Sequence, residues 1–186
     1  MRTAEALPTP ADPLAERLRS AGRALISALQ EAAGSDLDPR RLTDLLDVAF
    51  TLRNQLDAAL TAAVGTLDRG LEGDPEGAAS LGLSCPAWLG FRLRLSAAAA
   101  HAQVHLARRL PAYPATRQAF ARGELSAQHA GVVVRVLEAI ERGGAVAEEA
   151  EPLLLQEAER SDPRSLYRWG LSLLHQLAPR ELEAEE

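Results

Sequence analysis

Lysine is missing altogether: all twenty basic residues of this 186-residue chain are arginine. The arginine and alanine excess reads first as the imprint of a GC-rich genome and only second as chemistry. Arginine nevertheless keeps its charge at any working pH, and its fork fits phosphate or guanine. A single cysteine, Cys85, excludes an internal disulfide and gives no sign of secretion. Beside Pro86 at a helix start, it reads as a small buried filler rather than a reactive thiol. Aromatic residues make up 4% of the chain and β-branched residues are few, which disfavours a sheet. No apolar run reaches membrane-spanning length, and residues 1–12 hold prolines but no apolar core. Neither a span nor a signal peptide is expected, and the chain reads as soluble and cytoplasmic. The glycines at 70, 73, 77 and 82 are not followed by Lys-Ser, so this stretch is no phosphate loop.

What is present is helix-forming. Nearly half the residues are apolar, mostly Ala and Leu, so the expected fold class is all-α. Three Asp-Pro pairs, at 12–13, 38–39 and 162–163, read as helix starts, with Asp as cap and Pro preset for the first turn. Leu14, Leu18, Ala21, Leu25, Leu29 and Ala32 give the first helix one apolar face, and Gly34 closes it. The second helix runs from Pro39 to about Arg69, with Leu42, Leu45, Leu46, Ala49, Leu52, Leu56, Leu60, Ala63, Val64 and Leu67 expected to face inwards. The short link between them predicts a long antiparallel helical hairpin packed on a multi-helix domain with a helix-turn-helix-like unit. The expected organisation is a loose tail at 1–11, the hairpin at 12–70, a linker loop at 71–83, a helical domain at 84–178 and an acidic tail at 179–186. Within that domain helices are expected at Cys85–Arg94, Ala97–Leu110, Ala115–Arg122, Ala127–Arg142, Val146–Arg160 and Arg164–Leu177, with Pro152 disturbing the fifth. The leucine register of the hairpin could also extend to a second chain, so a homodimer through this hairpin is the candidate protein partner.

Charge is not evenly spread. Residues 84–135 carry seven arginines and one acid, while residues 1–83 and 136–186 carry net charges of −5 and −7. A basic middle inside an acidic chain is an electrostatic feature that the overall charge of −6 conceals. Ser84 and Ser96 read as N-caps of two short helices, the first presenting Trp88, Leu89 and Leu93 to a core. In the second, Ala100, Val104, Ala107 and Leu110 form one apolar stripe, and His101, Gln103, His105, Arg108 and Arg109 lie largely off it. A helix that is apolar on one side and polar or basic on the other is what a major-groove recognition helix requires, and also what many solvated helices look like.

Catalytic and metal-binding patterns are lacking. His101 and His105 stand one turn apart, but two imidazoles are an incomplete metal site, and the H-A-Q-V-H pattern lacks the glutamate of a zinc-protease helix. His129 and His175 have no acidic ligand nearby in sequence. No nucleophile elbow, cysteine pair or carboxylate cluster in an apolar setting is present. No enzymatic activity, cofactor or metal is expected of this chain.

The succession Ala87-Trp88-Leu89, Leu93-Arg94-Leu95-Ser96, Val104 with Leu106-Ala107, Leu110, Pro114-Ala115-Thr116 and Gly123-Glu124-Leu125-Ser126 with His129-Ala130 resembles the 13E12 repeat family. Members of that family, found in high-GC bacteria, have a helical domain of unknown function followed by an HNH endonuclease domain. The resemblance is strongest over about residues 78–142 and implies association with DNA, often in mobile elements. This chain has no HNH motif of its own. Positions 101, 103 and 105, more often arginine in the family, are here His, Gln and His, which lowers the charge of that face. Ser96–Leu110 with Gly123–Ala130 is also similar to the helix-turn-helix and following helix of partition-type DNA-binding proteins, which would make Ala97–Leu110 the recognition helix. The first expectation is therefore a DNA-binding helical module. Arg92, Arg94, Arg108 and Arg109 would sit on phosphates, and His101, Gln103, His105 and His129 would complete the interface. The alternative is an interaction or homodimerisation module that binds no nucleic acid.

Overall fold

The computed structural model describes residues 12–73 and 84–177. The expected tails at 1–11 and 179–186 and most of the expected linker lie outside those residues. Among the described residues there are eight α-helices, one 3₁₀ turn and no strand. The helices are α1 (Pro13–Gly34), α2 (Pro39–Gly73), α3 (Cys85–Leu93), α4 (Ala97–Arg109), α5 (Pro114–Arg122), α6 (Ala127–Arg142), α7 (Ala147–Ala158) and α8 (Pro163–Leu177), with the 3₁₀ turn at Leu110–Ala112. The all-α expectation holds.

The starts follow the caps. The carboxylate of Asp12 accepts from the Leu14 amide at 2.9 Å, and that of Asp162 from the amides of Arg164 and Ser165. The hydroxyls of Ser96 and Ser126 accept from Ala99 and His129. Each satisfies an amide that the helix itself leaves without a partner. Ser84 precedes α3 as expected, but its side chain makes no capping bond. α2 continues to Gly73, past the expected end near Arg69. α7 is unbroken across Pro152. Pro152 cannot donate to the Glu148 carbonyl four residues back, and both residues are exposed.

The chain divides into two units, Met1–Ala49 and Phe50–Glu186. In the first, α1 has no buried residue. Leu14 and Leu18 are 62% and 71% exposed, and Ile26, Leu29, Leu42, Leu45, Leu46 and Val48 are exposed as well. The apolar face expected to turn inwards is thus uncovered.

The second unit has a proper core. α6 is its central strut, and α4, α5, α7 and α8 all pack on it. Ala130, Val132, Val133, Val134, Val136, Leu137 and Ile140 of α6 are all buried. Phe120, Leu154 and Leu166 close on them with no measurable exposure, each burial contributing roughly 2–3 kcal/mol. α8 approaches so closely at Gly170 that a Cβ there would meet Val136 Cγ2 at 2.7 Å. Gly123 ends α5 in the left-handed region (φ 82°), against the Thr51 carbonyl, where a side chain would be both strained and blocked. A smaller cluster of Cys85, Leu89, Ala100 and Val104 packs with Val64, Leu67, Leu71 and Trp88.

Within this unit α2 corrects the sequence expectation. Its buried positions are Thr61, Gly65 and Asp68, whereas Leu52, Leu56 and Leu60 are exposed. Thr61, Gly65 and Asp68 form the innermost stripe, because it lets the backbones approach: a Cβ on Gly65 would lie 3.4 Å from the Ala107 carbonyl. Of the expected stripe, Val64 and Leu67 do pack inwards, against the cluster that holds Ala100 and Val104 of α4. Leu93 of α3 is likewise exposed rather than in the core.

Candidate functional site

α3 and α4 pack against each other across the three-residue link Arg94-Leu95-Ser96, with Arg94 in the left-handed conformation (φ 56°). The expected stripe of α4, Ala100, Val104, Ala107 and Leu110, is buried, together with Leu106. The residues expected to meet a ligand therefore lie on its remaining surface, where they divide into two flanks of different chemistry.

On the first flank the cations are consumed. Arg108 forks onto the buried Asp68 at 2.7 and 2.9 Å and reaches Glu72 at 2.7 Å. Arg109 lies 2.6 Å from Glu138 and 3.1 Å from Glu141, and His105 lies 3.1 Å from Glu138. The Tyr113 hydroxyl is 3.1 Å from Glu141. Burial, reinforced by that carboxylate, pushes the Tyr113 phenol up to about 12. Hydrogen bonding to Asp68 raises the already high Arg108, and burial with the Asp68 charge pushes the Cys85 thiol up. Cys85 is an inert core residue. Arg122 is also paired, forking onto Glu124 at 2.6 and 2.8 Å.

His129 is structural. Its Nε2 donates to the Ser161 carbonyl at 2.9 Å, and its Nδ1 accepts from the Ser126 hydroxyl at 2.8 Å. A carbonyl can only accept, so Nε2 carries a hydrogen, and both ring nitrogens are occupied. It ties the start of α6 to the α7–α8 link. Arg92, Arg94 and His101 are exposed, and no carboxylate lies within 4.0 Å of them among the described residues.

On the second flank Gln103 is half-buried and opens on a groove of about 730 Å³ between α4, α6 and α8. Ala99, Ala102, Ala127 and Val132 help to floor it, and Gln128, Arg135, Arg164 and Tyr167 stand around it. The Arg135 guanidinium lies 5.8 Å from the centre of the Tyr167 ring. Among the described residues no carboxylate lines this groove. The sequence reading passed over Arg164 and Tyr167, although their i, i+3 spacing on α8 places them on one face.

Among the described residues no three His, Cys, Asp or Glu side chains gather as they would around a metal ion, and no helix is long and apolar enough to cross a membrane. No curated protein and no solved structure matches the chain. The model of one family, described as a domain of unknown function (DUF222), matches residues 43–183. That match takes in all of α3 to α8, and the chain belongs to the DUF222 family.

Proposed function

We propose that this chain is a non-catalytic helical association module that pairs through its N-terminal unit, first of all with a second copy of itself. The observation that supports this reading is the uncovered apolar face of α1 and the start of α2, from Leu14 to Val48. Soluble monomers rarely leave so many large aliphatic side chains in water on one short segment, since covering each recovers roughly 1.5–3 kcal/mol. Light scattering on the full chain tests it. A dimer that Leu46→Asp dissociates is expected; a monomer at micromolar concentration, unchanged by Leu46→Asp, would sink the reading.

A second reading is the DNA-binding module implied by the 13E12 resemblance, with an HNH nuclease as its usual companion. The observation favouring it is that Arg92 and Arg94 are exposed with no carboxylate near them among the described residues. Against it stands the loss of Arg108, Arg109 and His105 to carboxylates. The remaining charge predicts weak, steeply salt-dependent binding. Fluorescence anisotropy with duplex DNA at two salt concentrations separates the cases, and flat curves at low salt would remove this reading.

A further inference from the structure

We propose that the groove between α4, α6 and α8 binds a nucleoside phosphate. The inference is independent of association through the N-terminal unit, because every residue it uses lies in the second unit. It starts from a contrast in charge pairing. Arg108, Arg109, Arg122 and Arg160 each lie within 3.1 Å of a carboxylate. The guanidinium groups of Arg135 and Arg164 have none within 4.0 Å among the described residues, although both stand at the same groove. Two guanidinium groups without a carboxylate partner at one concavity can receive an anion, and their forks suit a phosphate dianion.

The rest of the lining supplies what a base needs. Tyr167 is 40% exposed and its ring is held by the Arg135 guanidinium, so a flat heterocycle can lie against it. Ala99, Ala102 and Ala127 leave the floor shallow, and a Cβ added at Gly131 would meet nothing within 4 Å. The carboxamides of Gln103 and Gln128 offer both donors and acceptors to a base edge. The Arg135 Nε donates to the Gly131 carbonyl at 3.3 Å, which orients the side chain and leaves its terminal nitrogens for the ligand. A volume of about 730 Å³ is that of an ordinary small-ligand cleft. The same chemistry could come from a free nucleotide or from one nucleotide unit of a strand.

The experiment is calorimetric titration of the full chain with adenosine monophosphate, a short thymidine oligonucleotide and inorganic phosphate. It is repeated on Arg135→Ala/Arg164→Ala, on Tyr167→Ala and on Arg122→Ala, whose folds are checked by circular dichroism. Saturable binding of the mononucleotide identifies a free nucleotide as the source; binding of the oligonucleotide alone identifies a unit of a strand. In either case the double arginine variant loses about tenfold or more in affinity, Tyr167→Ala also weakens binding, and Arg122→Ala leaves it unchanged. No binding of either nucleotide probe overturns the proposal, as does binding that ignores the groove substitutions. Phosphate alone binding as tightly as the nucleotides would also overturn it, because the ring would then contribute nothing.

Discussion

The two flanks of α4 each face two arginines and use them in opposite ways. On one flank Arg108, Arg109 and His105 are held by Asp68, Glu72, Glu138 and Glu141, acids that come from both sides of the basic stretch in the sequence. On the other, Arg135 and Arg164 border a groove that no carboxylate lines among the described residues. Net charge by segment counts these arginines alike, but a ligand does not. What recognises an anion is a cation that has not already been neutralised. Two arginines of the basic middle, Arg108 and Arg109, are thus taken up by ion pairs whose other halves lie in the acidic flanks.

The largest test of this difference is Asp68→Ala. It strips Arg108 of its buried partner, and a loss of about 2–3 kcal/mol is expected, read as a lower urea midpoint at unchanged slope. Stability within error of the parent would mean that the pair does not hold α2 to α4. Glu138→Gln comes next, with about 1 kcal/mol of destabilisation. By freeing His105 and leaving Arg109 with Glu141 alone it should also raise any DNA affinity and steepen its salt dependence; unchanged binding would count against the DNA reading of this flank. The third effect belongs to alkaline solution. Because the Tyr113 phenol is raised to about 12 in the fold, its contribution is complete below the usual tyrosine value near 10 and is lost as pH climbs towards 12. Absorbance titration of the native protein should show a tyrosine ionising late, and denaturant should bring it back to its ordinary range. The smallest effect belongs to the open flank: Arg135→Ala and Arg164→Ala should each change stability by no more than about 0.5 kcal/mol, since neither holds a carboxylate. A larger loss would make them scaffold, and the two flanks would no longer differ.

Much of this architecture is legible in the chain itself. Ser96, Ser126 and Asp162 announce α4, α6 and α8, because capping is chemistry between residues two or three positions apart. The stripe Ala100, Val104, Ala107 and Leu110 reads correctly because a helix turns a periodic pattern into a face. The leucines of α2 mislead by the same logic. Periodicity shows that a face is apolar but not what covers it, and here Thr61, Gly65 and Asp68 take the inner position. Ion pairing is still less legible, because Arg108 meets Asp68 forty residues away and Arg109 meets Glu141 thirty-two away. His129 is expected from the sequence at a DNA interface, and the structure places its ring nitrogens beside the Ser126 hydroxyl and the Ser161 carbonyl, the latter thirty-two residues away.

Helix α5 begins without a local cap, since the Tyr113 side chain provides none. The need is met from a distance: the buried Glu151 of α7 accepts from both the amide and the hydroxyl of Thr116 at 2.7 Å. The first turn of α5 is thus completed by a side chain made thirty-five residues later. A nascent chain released at the α6–α7 boundary would carry α5 with frayed amides, and the two helices must settle together rather than in the order of their synthesis.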